Sequence, residues 1–130
     1  KGQLKLVLFI YVVLNNKKIV VLDYFDKGLS HVNKKRVINY LKRRFNGTLV
    51  VISNDLVFLN LLCSRLIVFK DGKIVYNDDF NNIYKSRLKL DYPEIIKFIR
   101  LANKNKAKLS YTVSAHELVK DIYRSVRWNI

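Results

Sequence analysis

Ile19-Val20-Val21-Leu22-Asp23-Tyr24-Phe25-Asp26-Lys27-Gly28-Leu29-Ser30 is the stretch whose reading decides the fold. Four aliphatic residues run without alternation into an aspartate, and Gly28 follows. An unbroken apolar run predicts a strand covered on both faces, as parallel strands of α/β sheets are. Asp23 then stands at the C-terminal end of the strand, where open α/β sheets hold their ligands. A carboxylate there commonly holds Mg²⁺ beside a nucleotide phosphate, directly or through water. It can also simply cap a turn, and the stretch alone leaves both readings open.

Outward from this strand the pattern alternates between helix and strand. Gln3 to Leu14 is strongly apolar and predicts a buried helix, although Val7, Ile10, Val12 and Val13 also suit a strand. Ser30 or Asn33 can cap the next helix. Val32 to Phe45 has the helical period, with Val37, Ile38, Leu41 and Phe45 on one side. Asn46-Gly47 is expected to end it in C-terminal cap fashion. Thr48 to Ser53 reads as a second buried strand, and Asp55 as the cap of a short helix to about Cys63. Leu66 to Phe69 is a third strand. Asp71-Gly72 supplies the positive φ angles of a hairpin, from which Ile74-Val75-Tyr76 returns antiparallel at a sheet edge.

After residue 78 the pattern becomes helical. Asp79 to Arg87 predicts a short helix, and Pro93 suits the first turn of a helix to about Asn103. Ser114-Ala115-His116-Glu117 has capping-box spacing and opens a last helix to about Arg127. Leu118, Val119, Ile122 and Val126 form its apolar stripe. The expected organisation is an α/β piece over residues 1–78 and a helical extension over 79–130.

The chain has 130 residues, a one-domain length with room for a core, and half of them are hydrophobic. Lys and Arg outnumber Asp and Glu by 25 to 10, for a net charge of +15, which suits an anionic partner. The lysines are scattered through every segment, so composition explains the charge better than a dedicated nucleic-acid surface does. No RNA-binding aromatic motif and no Cys/His zinc pattern occurs. Cys63 is the single cysteine, so no internal disulfide can form. The run Leu4 to Leu14 contains Lys5 and is too short to span a bilayer. It has no basic leader or cleavage site, so a signal peptide is not expected. The absence of any methionine predicts a processed chain or a piece of a longer one.

In this order the pieces resemble the second half of an ATP-binding-cassette (ABC) transporter ATPase. Lys1-Gly2-Gln3 resembles the end of that family's Leu-Ser-Gly-Gly-Gln signature, and Ile19 to Asp23 its Walker B strand. Val50-Val51-Ile52-Ser53-Asn54-Asp55-Leu56 resembles the switch strand, where the family has Thr/Ser-His-Asp. Arg65 to Tyr76 resembles its closing hairpin. Leu90-Asp91-Tyr92-Pro93-Glu94 and Ser114 to Val119 are similar to the C-terminal extension of energy-coupling-factor (ECF) transporter ATPases, which take up vitamins or metal ions such as cobalt and nickel.

The resemblance implies the distal part of a P-loop NTPase domain, with a mainly parallel sheet and an edge hairpin. It implies ATP and Mg²⁺ as cofactors, with Gly2, Gln3 and Asp23 at the nucleotide and Asp23 near the metal. It places Tyr24 where the family has its general-base glutamate and Asn54 at the switch histidine. A phenol with an ordinary pKa of about 10 is a poor base for water, and a carboxamide takes up no proton. Ser30 stands for an aspartate that helps couple two subunits. No Gly-x-x-x-x-Gly-Lys-Ser/Thr phosphate loop occurs in the chain. The implied partners are a second ATPase subunit and a membrane-embedded coupling subunit, with the protein peripheral at the cytoplasmic face. A non-enzymatic scaffold or regulatory remnant of the cassette fold is the alternative, and a basic nucleic-acid binder a further one. His31 and His116 are expected at surfaces or helix starts, Cys63 as a small core residue, and Asp26 as solvated.

Overall fold

The computed structural model describes residues 2–127, with the side chains of Val126 and Arg127 outside the description. Lys1 of the signature-like start and Val126 of the predicted stripe therefore lie outside the described residues or side chains. The chain divides into two compact units between Cys63 and Ser64.

The first unit holds α1 (Gly2–Leu14), β1 (Ile19–Asp23), α2 (His31–Arg44), β2 (Thr48–Ile52) and α3 (Leu56–Leu62). β1 and β2 pair in parallel from Ile19 opposite Thr48 to Asp23 opposite Ile52, and α2 makes the crossover such a pair requires. Two backbone bonds continue the ladder, from the Thr48 N–H to the Lys18 carbonyl and from the Tyr24 N–H to the Ile52 carbonyl, both 2.8 Å. The core gathers Phe9 of α1, Val20 and Leu22 of β1, Phe25 and Leu29 of the following loop, and Val37 and Leu41 of α2.

Burial along β1 alternates, which corrects the expectation of a strand covered on both faces. Val20 and Leu22 are buried, whereas Ile19 and Val21 are 64% and 58% exposed. Successive side chains of a strand point to opposite faces, and the core formed with α1 and α2 takes up only one of them. β2 is likewise not a buried strand, since Val50 and Ile52 are exposed. α1 is a helix as expected but is not buried: Phe9 is its one buried residue, while Leu4, Val7, Leu8, Ile10, Tyr11 and Leu14 face outward.

The caps follow the sequence at two places and depart from it at a third. Ser30 caps α2, its hydroxyl accepting the Asn33 N–H, and Asp55 caps α3 through the Phe58 N–H. α2 ends at Phe45 in extended conformation, so Asn46-Gly47 does not form a left-handed cap. Gly47 is needed for a different reason: a Cβ there would sit 2.6 Å from the Lys18 carbonyl oxygen and 2.7 Å from the Phe45 ring.

The second unit begins with β3 (Arg65–Lys70) and β4 (Lys73–Asp79), an antiparallel hairpin turned by Asp71 and Gly72 at φ 50° and 72°. Among the described residues the strands form two separate two-stranded sheets, one parallel pair and one hairpin, in place of the mainly parallel sheet expected. A 3₁₀ turn (Phe80–Lys85), α4 (Glu94–Lys104) and α5 (Ala115–Arg127) follow. Pro93 is the residue before α4 rather than in its first turn. The Ser114 hydroxyl accepts the Glu117 N–H, one half of a capping box. Val119 is half-exposed, so the apolar stripe of α5 is only partly covered.

The core of this unit is aromatic, built on Phe80, Tyr84 and Tyr92 with Ile83, Ile96, Ile99 and Leu109. Tyr84 stacks on Tyr111 at 5.9 Å between ring centroids. The Tyr84 hydroxyl is buried without a hydrogen-bond partner among the described residues. Burial, with Tyr92 adding to it, pushes its pKa up to about 12. An unpaired buried hydroxyl is destabilising. Tyr84→Phe should therefore raise the stability of the chain by about 1 kcal/mol in denaturant unfolding; a loss of stability would mean that the hydroxyl has a partner, such as an internal water.

Candidate functional site

The residues singled out by sequence meet where β1 and β2 end. Because the strands are parallel and in register, Asp23 and Ile52 finish side by side, and the chain beyond each leaves the sheet at the same end. Asp23 is exposed there. Tyr24 turns the chain sharply, at φ 42°, a left-handed conformation that bulky residues seldom adopt. Its phenol reaches Asn54, donating to Oδ1 at 3.4 Å. The Lys27 ammonium lies 4.2 Å from the centre of the Tyr24 ring, a cation–π contact. The positions assigned by resemblance to base and switch are thus adjacent, joined by a hydrogen bond between a phenol and a carboxamide.

Gly2 is brought to the same loop. A Cβ on Gly2 would stand 2.6 Å from the Gly28 carbonyl oxygen, so the start of α1 lies directly on the turn. Gln3 is exposed. Ser30 is occupied as the cap of α2. His31 and His116 are exposed in the first turns of α2 and α5. Cys63 is half-buried at the end of α3, where burial pushes its thiol pKa up.

Asp26 departs most from expectation. It is not solvated but 5% exposed. The Ser53 hydroxyl donates to its Oδ1 at 2.7 Å, and the Lys34 ammonium lies 4.0 Å from its Oδ2. Ser53 also accepts the Asp55 N–H at 3.0 Å, and Lys34 forms a 3.1 Å ion pair with Asp55. The loop after β1, the end of β2 and α2 are thereby joined through one polar cluster. Burial alone would raise the pKa of the Asp55 carboxyl. The Phe58 N–H, the Lys34 ammonium and the Val57 N–H outweigh it and hold the carboxyl below its ordinary value. A second cation missed by sequence reading is Lys5. Its ammonium donates to the carbonyls of Tyr24 at 3.0 Å and Lys27 at 2.7 Å. Its one signal was being the single charged residue inside an apolar helix.

As a donor set for Mg²⁺ and a nucleotide, the cluster is partial. Asp23 offers one open carboxylate, and Tyr24 and Asn54 offer hydrogen bonds beside it. Among the described residues no three His, Cys, Asp or Glu side chains gather to hold a metal ion. Asp23 could supply one ligand to a metal ion, and every further ligand would have to come from outside this group.

The chain matches no family model. It is 29% identical over 102 residues to an uncharacterised ABC transporter ATP-binding protein of Methanocaldococcus jannaschii, covering 77% of this chain and 39% of that protein. It is 26% identical over 132 residues to the energy-coupling factor transporter ATP-binding protein EcfA2 of Staphylococcus aureus, covering 95% of this chain and 46% of that one. It is 37% identical over 82 residues to the nickel import system ATP-binding protein NikE of the same species, covering 61% and 34%. These comparisons support the ABC transporter ATPase family. The chain spans less than half the length of these curated relatives.

The depressed pKa of Asp55 has a sign that can be tested. A carboxyl held below its unfolded value contributes stability that is present above pH of about 4 and lost as pH falls through the folded pKa. Asp55→Asn keeps a capping oxygen and removes the charge. Acid titration of the unfolding midpoint should show a shallower fall below pH of about 4 in this variant than in the parent; parallel curves would remove Asp55 from the linkage.

Proposed function

Proceeding from that kinship, we propose that the chain is the C-terminal part of an ABC-type ATP-binding subunit of an ECF-type transporter. In this reading residues 1–78 are the distal part of the nucleotide-binding domain and residues 79–130 its extension. The observation that carries it is the meeting of Asp23, Tyr24 and Asn54 at the ends of two paired parallel strands. The match to an energy-coupling factor ATP-binding protein over nearly the whole chain supports the finer assignment. Transport of a vitamin or metal ion, a second ATPase subunit, a membrane-embedded coupling subunit and a peripheral place at the cytoplasmic face of the membrane belong to the same proposal. No helix among the described residues is long and apolar enough to cross a membrane.

The chemistry assigned to each residue follows from its type. Asp23 would hold Mg²⁺, directly or through water, and the metal would neutralise phosphate charge. Gly2 and Gln3 would present the end of the signature to a nucleotide. Tyr24 and Asn54 would donate and accept hydrogen bonds near the terminal phosphate. Neither is the carboxylate or imidazole that the resemblance would place there. That pairing also favours the alternative, a non-enzymatic scaffold that keeps the fold for protein contact.

Two measurements test this reading. The 130-residue chain alone should show no ATP hydrolysis above a heat-inactivated control, because it contains no phosphate loop and no base at Tyr24. Tyr24→Glu should not restore activity. In a protein that supplies a phosphate loop, Asp23→Asn should weaken Mg·ATP binding by about 1–3 kcal/mol, and Tyr24→Phe by at most about 1 kcal/mol. Equal binding by Asp23→Asn and the parent would reduce Asp23 to a turn residue and remove the nucleotide reading.

A further inference from the structure

We propose that Lys5 is the positioning residue that locks the loop after β1 onto α1, so that any displacement of the start of α1 is passed to Tyr24 and Asp26. The geometry is specific. The ammonium group receives two backbone carbonyls, those of Tyr24 and Lys27, from a segment 19 and 22 residues away. A lysine that merely followed its own helix surface would end in water; this one ends between two carbonyls, which an ammonium with three donors and no acceptor suits. It also lies 5.8 Å from the centre of the Phe25 ring. Around it the contact is tight: Phe9 meets Phe25 at 5.6 Å between ring centroids, and Gly2 presses on the Gly28 carbonyl.

The loop it holds requires holding. Tyr24 is left-handed at φ 42° and Gly28 at φ 78°. A bulky residue keeps such a conformation only where its surroundings impose it. The Tyr24 carbonyl accepts the Lys27 N–H at 3.2 Å as well as Lys5, so the ammonium closes a turn already formed. From the other side Ser53 fixes Asp26. The loop is therefore clamped between α1 and the end of β2, and Lys5 is its link to α1. The functional consequence, that Gly2 and Gln3 are tied to Asp23, rests on the ATP-binding reading; the clamp itself does not.

Amide hydrogen exchange of the 130-residue chain, compared among the parent, Lys5→Met and Lys5→Arg, tests the clamp. Met keeps the apolar stem and removes the charge. In Lys5→Met the amides of Lys27 and Leu29, which bond to the carbonyls of Tyr24 and Asp26, should exchange about tenfold faster relative to those of β1 and β2. The ring-current shift of the Lys27 side chain over Tyr24 should collapse with them, and Lys5→Arg should restore both. Unchanged loop amides, or equal acceleration throughout the first unit, would overturn the proposal. If Lys5→Met does not fold, the parent decides: its Lys5 ammonium protons should exchange more slowly than those of exposed Lys35, and equal rates would overturn the clamp. None of these readouts involves nucleotide, so a failure of ATP binding and a failure of the clamp are told apart.

Discussion

Five rungs of parallel ladder, Ile19–Asp23 against Thr48–Ile52, are the constraint on which the first unit depends. The register is set by side chains as much as by backbone. Val20 and Leu22 enter the core together with Phe9, Val37 and Leu41. A slip by one residue would turn those two outward and bring Ile19 and Val21 in. The same register delivers Tyr24 and Asn54 to one place, 30 positions apart in sequence. It begins where Gly47 lets the backbone pass the Lys18 carbonyl without a clash.

Much of this was legible in sequence because it is local. The helical period of α2, the Ser30 and Asp55 caps and the Asp71-Gly72 turn each depend on a few neighbouring residues, and each stands in the structure. Burial was read less well. Four aliphatic residues in a row say that a strand forms, not how many of its faces other elements cover. Asp26 was missed because the partner that makes its burial tolerable, Ser53, belongs to the other strand. Lys5 was missed for the same reason: its carbonyl partners lie beyond a helix, a connection and a strand. Gly47 follows α2 where the sequence suggests a left-handed cap, but its cause is close approach to the Lys18 carbonyl, a contact that only the paired strands reveal.

The site combines two kinds of order. Tyr24 and Asn54 are exposed enough to meet a ligand, and only a long hydrogen bond joins them. In the same region Asp26, Ser53, Lys34 and Asp55 form a connected polar group in which Asp26 is buried and the other three are partly exposed. A buried carboxylate without such partners would be strongly unfavourable. The Tyr24–Asn54 pair can therefore vary in chemistry while the Asp26 group joins the loop to the entry of α3.

The uncovered side of β1 and β2 has a colloidal consequence. Ile19, Val21, Val50 and Ile52 lie on a two-stranded sheet whose outer edges are unpaired among the described residues. Apolar strands with open edges are templates for stacking and strand addition by further copies. The net charge of +15 opposes this by mutual repulsion between molecules. Added electrolyte shortens the reach of that repulsion and leaves the attraction between apolar faces in place. Isolated chains are accordingly best dispersed in dilute buffer, and salting should drive them toward precipitation.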